Sequence, residues 1–182
     1  ADDFSNLFPA LVKAENPVEE PKPEDPQPEN PAGSVATLTN AEICAAMTSS
    51  STSYTEYTIE SESGSWTVNA FQSKDNTYLQ CRGHKGSYIQ TPLFDKEIKS
   101  VTIHFSAAKS VYANNTYCAF PATWTPTTEE NVPYLEDGNV GKAVTDGSYR
   151  LTIPVDTGNK QVRIAMTGGT YAYYLDHIDV AF

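Results

Sequence analysis

The chain has 182 residues, a formal net charge of −11 and 11% aromatic residues. That is enough for one ordinary domain and a tail. Acidity without a basic cluster argues against a nucleic-acid backbone as partner, and no apolar run reaches the ~18 residues a membrane-spanning helix needs.

Residues 1–15 place Phe4, Leu7, Phe8 and Leu11 at helical spacing, interrupted by Pro9. They read as a leader, as the remnant of a preceding domain, or as a short amphipathic piece that docks on a partner. The chain begins Ala-Asp-Asp with no signal peptide, which reads as a mature or trimmed chain.

Residues 16–34 form an acidic linker, with proline at 17, 21, 23, 26, 28 and 31. Residues 15–31 alone carry six carboxylates against Lys22. Such a segment buries no core and favours extended polyproline-like backbone, spanning on the order of 50 Å at ~3.1 Å per residue. It reads as a spacer that holds residues 35–182 away from an anchor or an upstream domain.

A capping box follows at Thr39-Asn40-Ala41-Glu42, predicting a short helix with Ile43, Ala46 and Met47 on its apolar face. From Tyr54 on, period-2 runs predict strands over 54–60, 66–71, 78–82, 87–90, 98–105, 117–120, 148–155, 160–166 and 171–180. Val101, Ile103 and Phe105 alternate with Thr102, His104 and Ser106, one face buried and the other wet. The Gly83–Gly86 turn signal makes 78–82 and 87–90 a hairpin. Residues 110–114 and 117–120 read as a second pair. Residues 121–147 form the longest irregular stretch. The expectation is a mostly β chain, an antiparallel two-sheet sandwich of about nine strands with one short N-terminal helix.

The order Gly64-x-Trp66-Thr67, Tyr78-Leu79-Gln80-x-Arg82-Gly83, Gly86-Ser87-Tyr88-Ile89-Gln90-Thr91-Pro92 and Lys96-x-Ile98-Lys99-Ser100-Val101-Thr102-Ile103 resembles a jelly-roll, galactose-binding-like module. Such modules occur in secreted and surface lipoproteins of polysaccharide-degrading gut bacteria. Gly169 to Val180, with its Tyr174-Leu175-x-x-Ile178 spacing, resembles the module's closing strand. The resemblance implies a protein exported to the cell surface or periplasm of a Gram-negative bacterium. It implies a membrane association only through an anchor outside this chain, and structural calcium near the loops. Asp137-Gly138-Asn139 and Asp146-Gly147-Ser148 offer oxygens for such an ion, and both are also ordinary turn sequences.

No catalytic set emerges. No G-x-S-x-G elbow, P-loop or GxGxxG occurs. Glu129-Glu130, Glu136-Asp137 and Asp176/Asp179 are carboxylate pairs of the kind glycoside hydrolysis requires, but such pairs are common in acidic loops. His84, His104 and His177 follow no metal-ligand spacing, so no metal site and no cofactor is expected from sequence. Cys44, Cys81 and Cys118 are widely spaced; they read as small buried hydrophobes, with a Cys81–Cys118 disulfide as the other option. Carbohydrate or a surface glycan is the expected partner, with protein neighbours as the alternative. The candidate binding residues are Trp124, Tyr134, Glu136, Asp137 and Arg82: flat aromatic faces for pyranose C–H groups, flanked by groups that bond hydroxyls. Trp66 is expected in the core.

Overall fold

The computed structural model describes residues 34–47, 55–69, 72–74, 78–82, 86–106, 116–125, 138–144, 149–167 and 172–182. The chain divides into Ala1–Pro31 and Ala32–Phe182, and every described residue belongs to the second unit. The expectations for residues 1–15 and for most of the linker lie outside the described residues.

The described chain is mostly β, with two antiparallel six-stranded sheets and one short helix. In chain order the strands are β1 (Val35–Thr39), β2 (Glu56–Ser61), β3 (Gly64–Asn69), β4 (Gln72–Lys74), β5 (Tyr78–Arg82), β6 (Tyr88–Gln90), β7 (Ser100–Phe105), β8 (Thr116–Pro121), β9 (Gly141–Val144), β10 (Arg150–Pro154), β11 (Val162–Thr167) and β12 (Ala172–Ala181). The first sheet runs β10-β7-β12-β5-β4, with β1 also on β12; the second runs β2-β3-β6-β11-β8-β9.

Helix α1 (Asn40–Ala46) starts where the sequence places it. The Thr39 side chain accepts from Glu42 N at 3.2 Å, and Thr39 N donates to Glu42 Oε2 at 2.8 Å. Ile43 and Met47 are buried and Ala46 packs on the core.

Between the sheets lies a single large core that includes Leu38, Ile59, Trp66, Val68, Ile89, Ile103, Ile153, Ile164 and Val180. Trp66 is fully buried, as its strand position implies. Its indole Nε1–H donates to Ser61 Oγ at 3.1 Å and Ser63 Oγ at 2.9 Å, so the one polar atom of a large core ring is satisfied by its own hairpin turn.

β12 is the longest strand and organises the first sheet. One edge pairs with β7; the other pairs with β5 at Ala172–Leu175 and then with β1 at His177–Ala181. Between Leu175 and His177 the register against β7 shifts. The extra residue of this β-bulge explains why the buried residues Leu175 and Ile178 are three apart rather than two.

One expectation needs correction. β5 and β6 are not a hairpin: β5 joins β12 and β4 in the first sheet, and β6 joins β3 and β11 in the second. A turn signal tells where the chain reverses, not which sheet each arm enters. The sandwich and its short helix are as expected, and among the described residues its twelve strands include β1, β4 and β9, which the alternation of the sequence does not announce. β9 lies inside the stretch read as irregular; its sequence, Gly-Lys-Ala-Val, has little β signal of its own, and its place is set by pairing with β8. Cys118, in β8 of the second sheet, is buried in a layer separate from the main core, as a small hydrophobe would be; Cys81 belongs to β5 of the first sheet.

The sandwich is closed on one side by β9 meeting β10. Asp156 N donates to Val140 O at 2.8 Å, and Gly141 comes so near the other edge that an added Cβ would lie 2.2 Å from the Pro154 carbonyl oxygen. Residues 91–99 carry the chain from one sheet to the other, with Thr91 N on Val162 O and Lys99 N on Ala181 O.

Candidate functional site

Two surfaces of the sandwich carry chemistry, one on the outer face of each sheet. On the second sheet, strand alternation sends Tyr117, Ala119, Val162 and Ile164 into the main core and Cys118, Phe120 and Ala165 to the opposite side. These outward residues are nevertheless buried, together with Tyr88, in a small second apolar layer. Trp124 covers part of it from the turn after β8, where its backbone N–H donates to Pro121 O at 2.9 Å.

The indole of Trp124 stacks on Phe120 (centroids 4.2 Å apart, planes at 11°) and meets Tyr88 edge-on at 6.5 Å. Arg163 of β11 fixes this arrangement. Its guanidinium lies 4.5 Å from the centre of the Tyr88 ring, its Nε donates to Gln90 Oε1 at 2.8 Å, and an Nη donates to the carbonyl of Trp124. Tyr88 Oη donates to Glu56 Oε2 at 2.9 Å. Burial, then that hydrogen bond, pushes the Tyr88 phenol above its ordinary pKa, with Arg163 pulling the other way. Trp124 itself is only half-buried, so a rigidly held indole keeps part of its surface open to solvent.

Of the other sequence candidates, Tyr134, Glu136 and Asp137 lie outside the described residues, as do Glu129, Glu130, Asp146 and His84. Arg82 is placed only by its backbone, in β5 of the first sheet, whereas Trp124 follows a strand of the second. Of the two calcium candidates, the described part is Gly138 and Asn139; Gly138 has φ of 88°, the conformation of a turn glycine.

The second surface was not picked out from sequence. On the outer face of the first sheet, His104 of β7 and His177 of β12 are direct cross-strand partners, with rings stacked at 3.8 Å and 13°. Asp179 sits two residues along β12. Its Oδ2 lies 3.1 Å from His104 Nε2 and 3.6 Å from His177 Nε2. Its Oδ1 accepts from Thr37 Oγ1 of β1 at 2.6 Å. On the far side of its ring, His177 Nδ1 is 2.7 Å from Asp176 Oδ2. Burial holds His104 below the ordinary imidazole pKa; His177 and Arg150 push the same way, and Asp179 opposes them. The sequence signal that could have found this cluster is the Leu175-x-x-Ile178 spacing. It breaks period 2 and so marks the bulge that turns His177 and Asp179 to the same side as His104.

Compared with known proteins, the chain matches no family model and no curated sequence. Among solved structures it is similar to the K1 cleaved adhesin domain of Lys-gingipain from Porphyromonas gingivalis, at 13% identity and a TM-score of 0.35, over 81% of this chain and 98% of that one. Among the described residues no helix is long and apolar enough to cross a membrane.

Proposed function

We propose that this β-sandwich is a non-catalytic adhesive module of an exported, cell-surface lipoprotein, and that it binds carbohydrate at the layer around Trp124. The observation that carries the reading is the half-buried Trp124 ring, stacked on Phe120 and tied by Arg163. A pre-positioned aromatic face loses little conformational freedom when a pyranose packs its C–H face against it. Arg163, bonded to Gln90 and to the Trp124 carbonyl, and Gln90 itself would offer polar groups to the hydroxyls. Tyr134, Glu136 and Asp137, downstream of Trp124 in the chain, would complete the site. The resemblance to galactose-binding-like modules points the same way, and the proline-rich acidic segment would serve as the stalk.

The test is a glycan array and polysaccharide affinity electrophoresis with the full chain, with and without calcium. Binding to a defined sugar class that is lost in Trp124→Ala supports the reading. Binding that survives both Trp124→Ala and Tyr134→Ala moves the site elsewhere. Silence across the panel removes carbohydrate as the ligand and leaves a protein-binding adhesive module. Turnover of a bound glycan would overturn the non-catalytic reading.

A further inference from the structure

Three side chains on the outer face of the first sheet converge on one point, and their own partners dictate what that point accepts. Asp176 takes the Nδ1 side of His177 at 2.7 Å, so the neutral ring carries its proton there and turns the bare lone pair of Nε2 toward Asp179. That lone pair stands 3.6 Å from Asp179 Oδ2, which is itself electron-rich. His104 Nε2 stands 3.1 Å from the same oxygen. Two acceptors and the His104 nitrogen thus face one another with a single imidazole proton at most among them, unless one ring becomes a cation. A bound cation would satisfy all three at once.

We propose that His104, His177 and Asp179 form a site for a divalent transition ion of the zinc class, with a fourth coordination position open to solvent. The three ligand atoms lie within 4.8 Å of one another. Bonds of about 2.0–2.1 Å in tetrahedral geometry set ligand atoms about 3.4 Å apart, and the observed 3.1 and 3.6 Å bracket that value. Two imidazoles and one carboxylate select zinc, copper, nickel or cobalt over calcium and magnesium, which need more oxygen ligands.

The surrounding contacts are those a metal centre uses. Asp176 behind His177 and Thr37 behind Asp179 orient two of the three ligands. The three side chains come from β7 and β12, the central pair of the sheet, so their backbone is braced on both sides. Among the described residues, Arg150, opposite His104 in β10, opposes a cation; Asp176 and Asp179 outweigh it. The side chains of His104, His177 and Asp179 are 24%, 29% and 30% exposed, so an ion can enter and still hold a water or a donor from another molecule. In the ion-bound form the two rings open from their 13° stack into a wedge that aims both lone pairs at one point. The site is on the opposite sheet from Trp124, and the inference stands apart from the carbohydrate reading.

The test is calorimetric titration of Zn²⁺ into the tag-free full chain in a non-chelating buffer, with Ca²⁺ and Mg²⁺ as controls. One zinc per chain is expected, with at least 10-fold weaker binding in His104→Asn, His177→Asn and Asp179→Asn, and about 10-fold weaker binding in Asp176→Asn. His84→Asn, the remaining histidine, should bind as the parent does. Imidazole NMR of the unmodified chain gives a readout that needs no variant: zinc should shift the His104 and His177 ring signals and leave His84 in place. Absence of zinc heat, shifts centred on His84, or undiminished binding in a folded His104→Asn/His177→Asn double variant would each overturn the proposal.

Discussion

His177 stands directly across the ladder from His104, and it does so because β12 carries one more residue than β7 between this pair and the Leu175–Phe105 pair. Without that bulge, period 2 would place Asp176 opposite His104 and turn His177 toward the core.

The stacked pair predicts a pH dependence of stability. An unfolded histidine titrates near pH 6.5, and His104 in the folded chain titrates lower. Between the two values the unfolded state binds more protons. Stability should therefore be whole above about pH 6.5 and fall as pH drops through the folded value. Urea unfolding between pH 7.5 and 5, in chelator, should show this fall, and His104→Asn should make it smaller. An unchanged slope in the variant would remove His104 as its source.

Trp66 predicts two separable costs. Trp66→Ala empties the largest fully buried side chain of the core and should cost about 3–5 kcal/mol. Ser63→Ala leaves the ring in place but takes away the nearer of its two acceptors, and should cost about 1 kcal/mol. Chemical denaturation of both variants checks the ratio.

At Gly141 the prediction is steric. An added methyl would meet the Pro154 carbonyl, which belongs to the edge of the other sheet and has no side-chain freedom with which to yield. Gly141→Ala should destabilise by about 1–3 kcal/mol. A melting temperature equal to that of the parent would show that β9 and β10 separate freely.

Arg163 predicts a change seen by fluorescence. The chain holds two tryptophans, and Trp66 is fully buried, so quenching by acrylamide reports mainly on Trp124. Arg163→Met keeps an apolar stem over Tyr88 but loses the bonds to Gln90 and to the Trp124 carbonyl. It should raise Trp124 quenching with little loss of stability, and any glycan affinity should fall with it.

The sequence carried most of the local structure of this fold. Thr39 and Glu42 announced the helix start, and the alternation of Val101, Ile103 and Phe105 announced both a strand and its buried face. Sheet membership was hidden because nothing in Tyr78–Arg82 or Tyr88–Gln90 encodes which sheet each strand enters; that depends on pairing with β12 and β11, far along the chain. The aromatic candidate Trp124 was visible as a residue type, but its partners Phe120, Tyr88 and Arg163 come from three different strands. The histidine cluster was missed for the same reason: His104 and His177 are 73 positions apart, and only the broken alternation in β12 hinted at their meeting.

β12 is the last strand of the chain, yet β1, β5 and β7 all depend on it for a neighbour. Until Ala172–Ala181 arrives, one half of the sandwich exists only as separate ribbons, and the rate of folding is set by contacts of long sequence separation. A chain cut before Ala172 would present unpaired strand edges to any other chain it met. Proteolytic trimming from the C-terminal end should therefore produce aggregates rather than a smaller soluble domain.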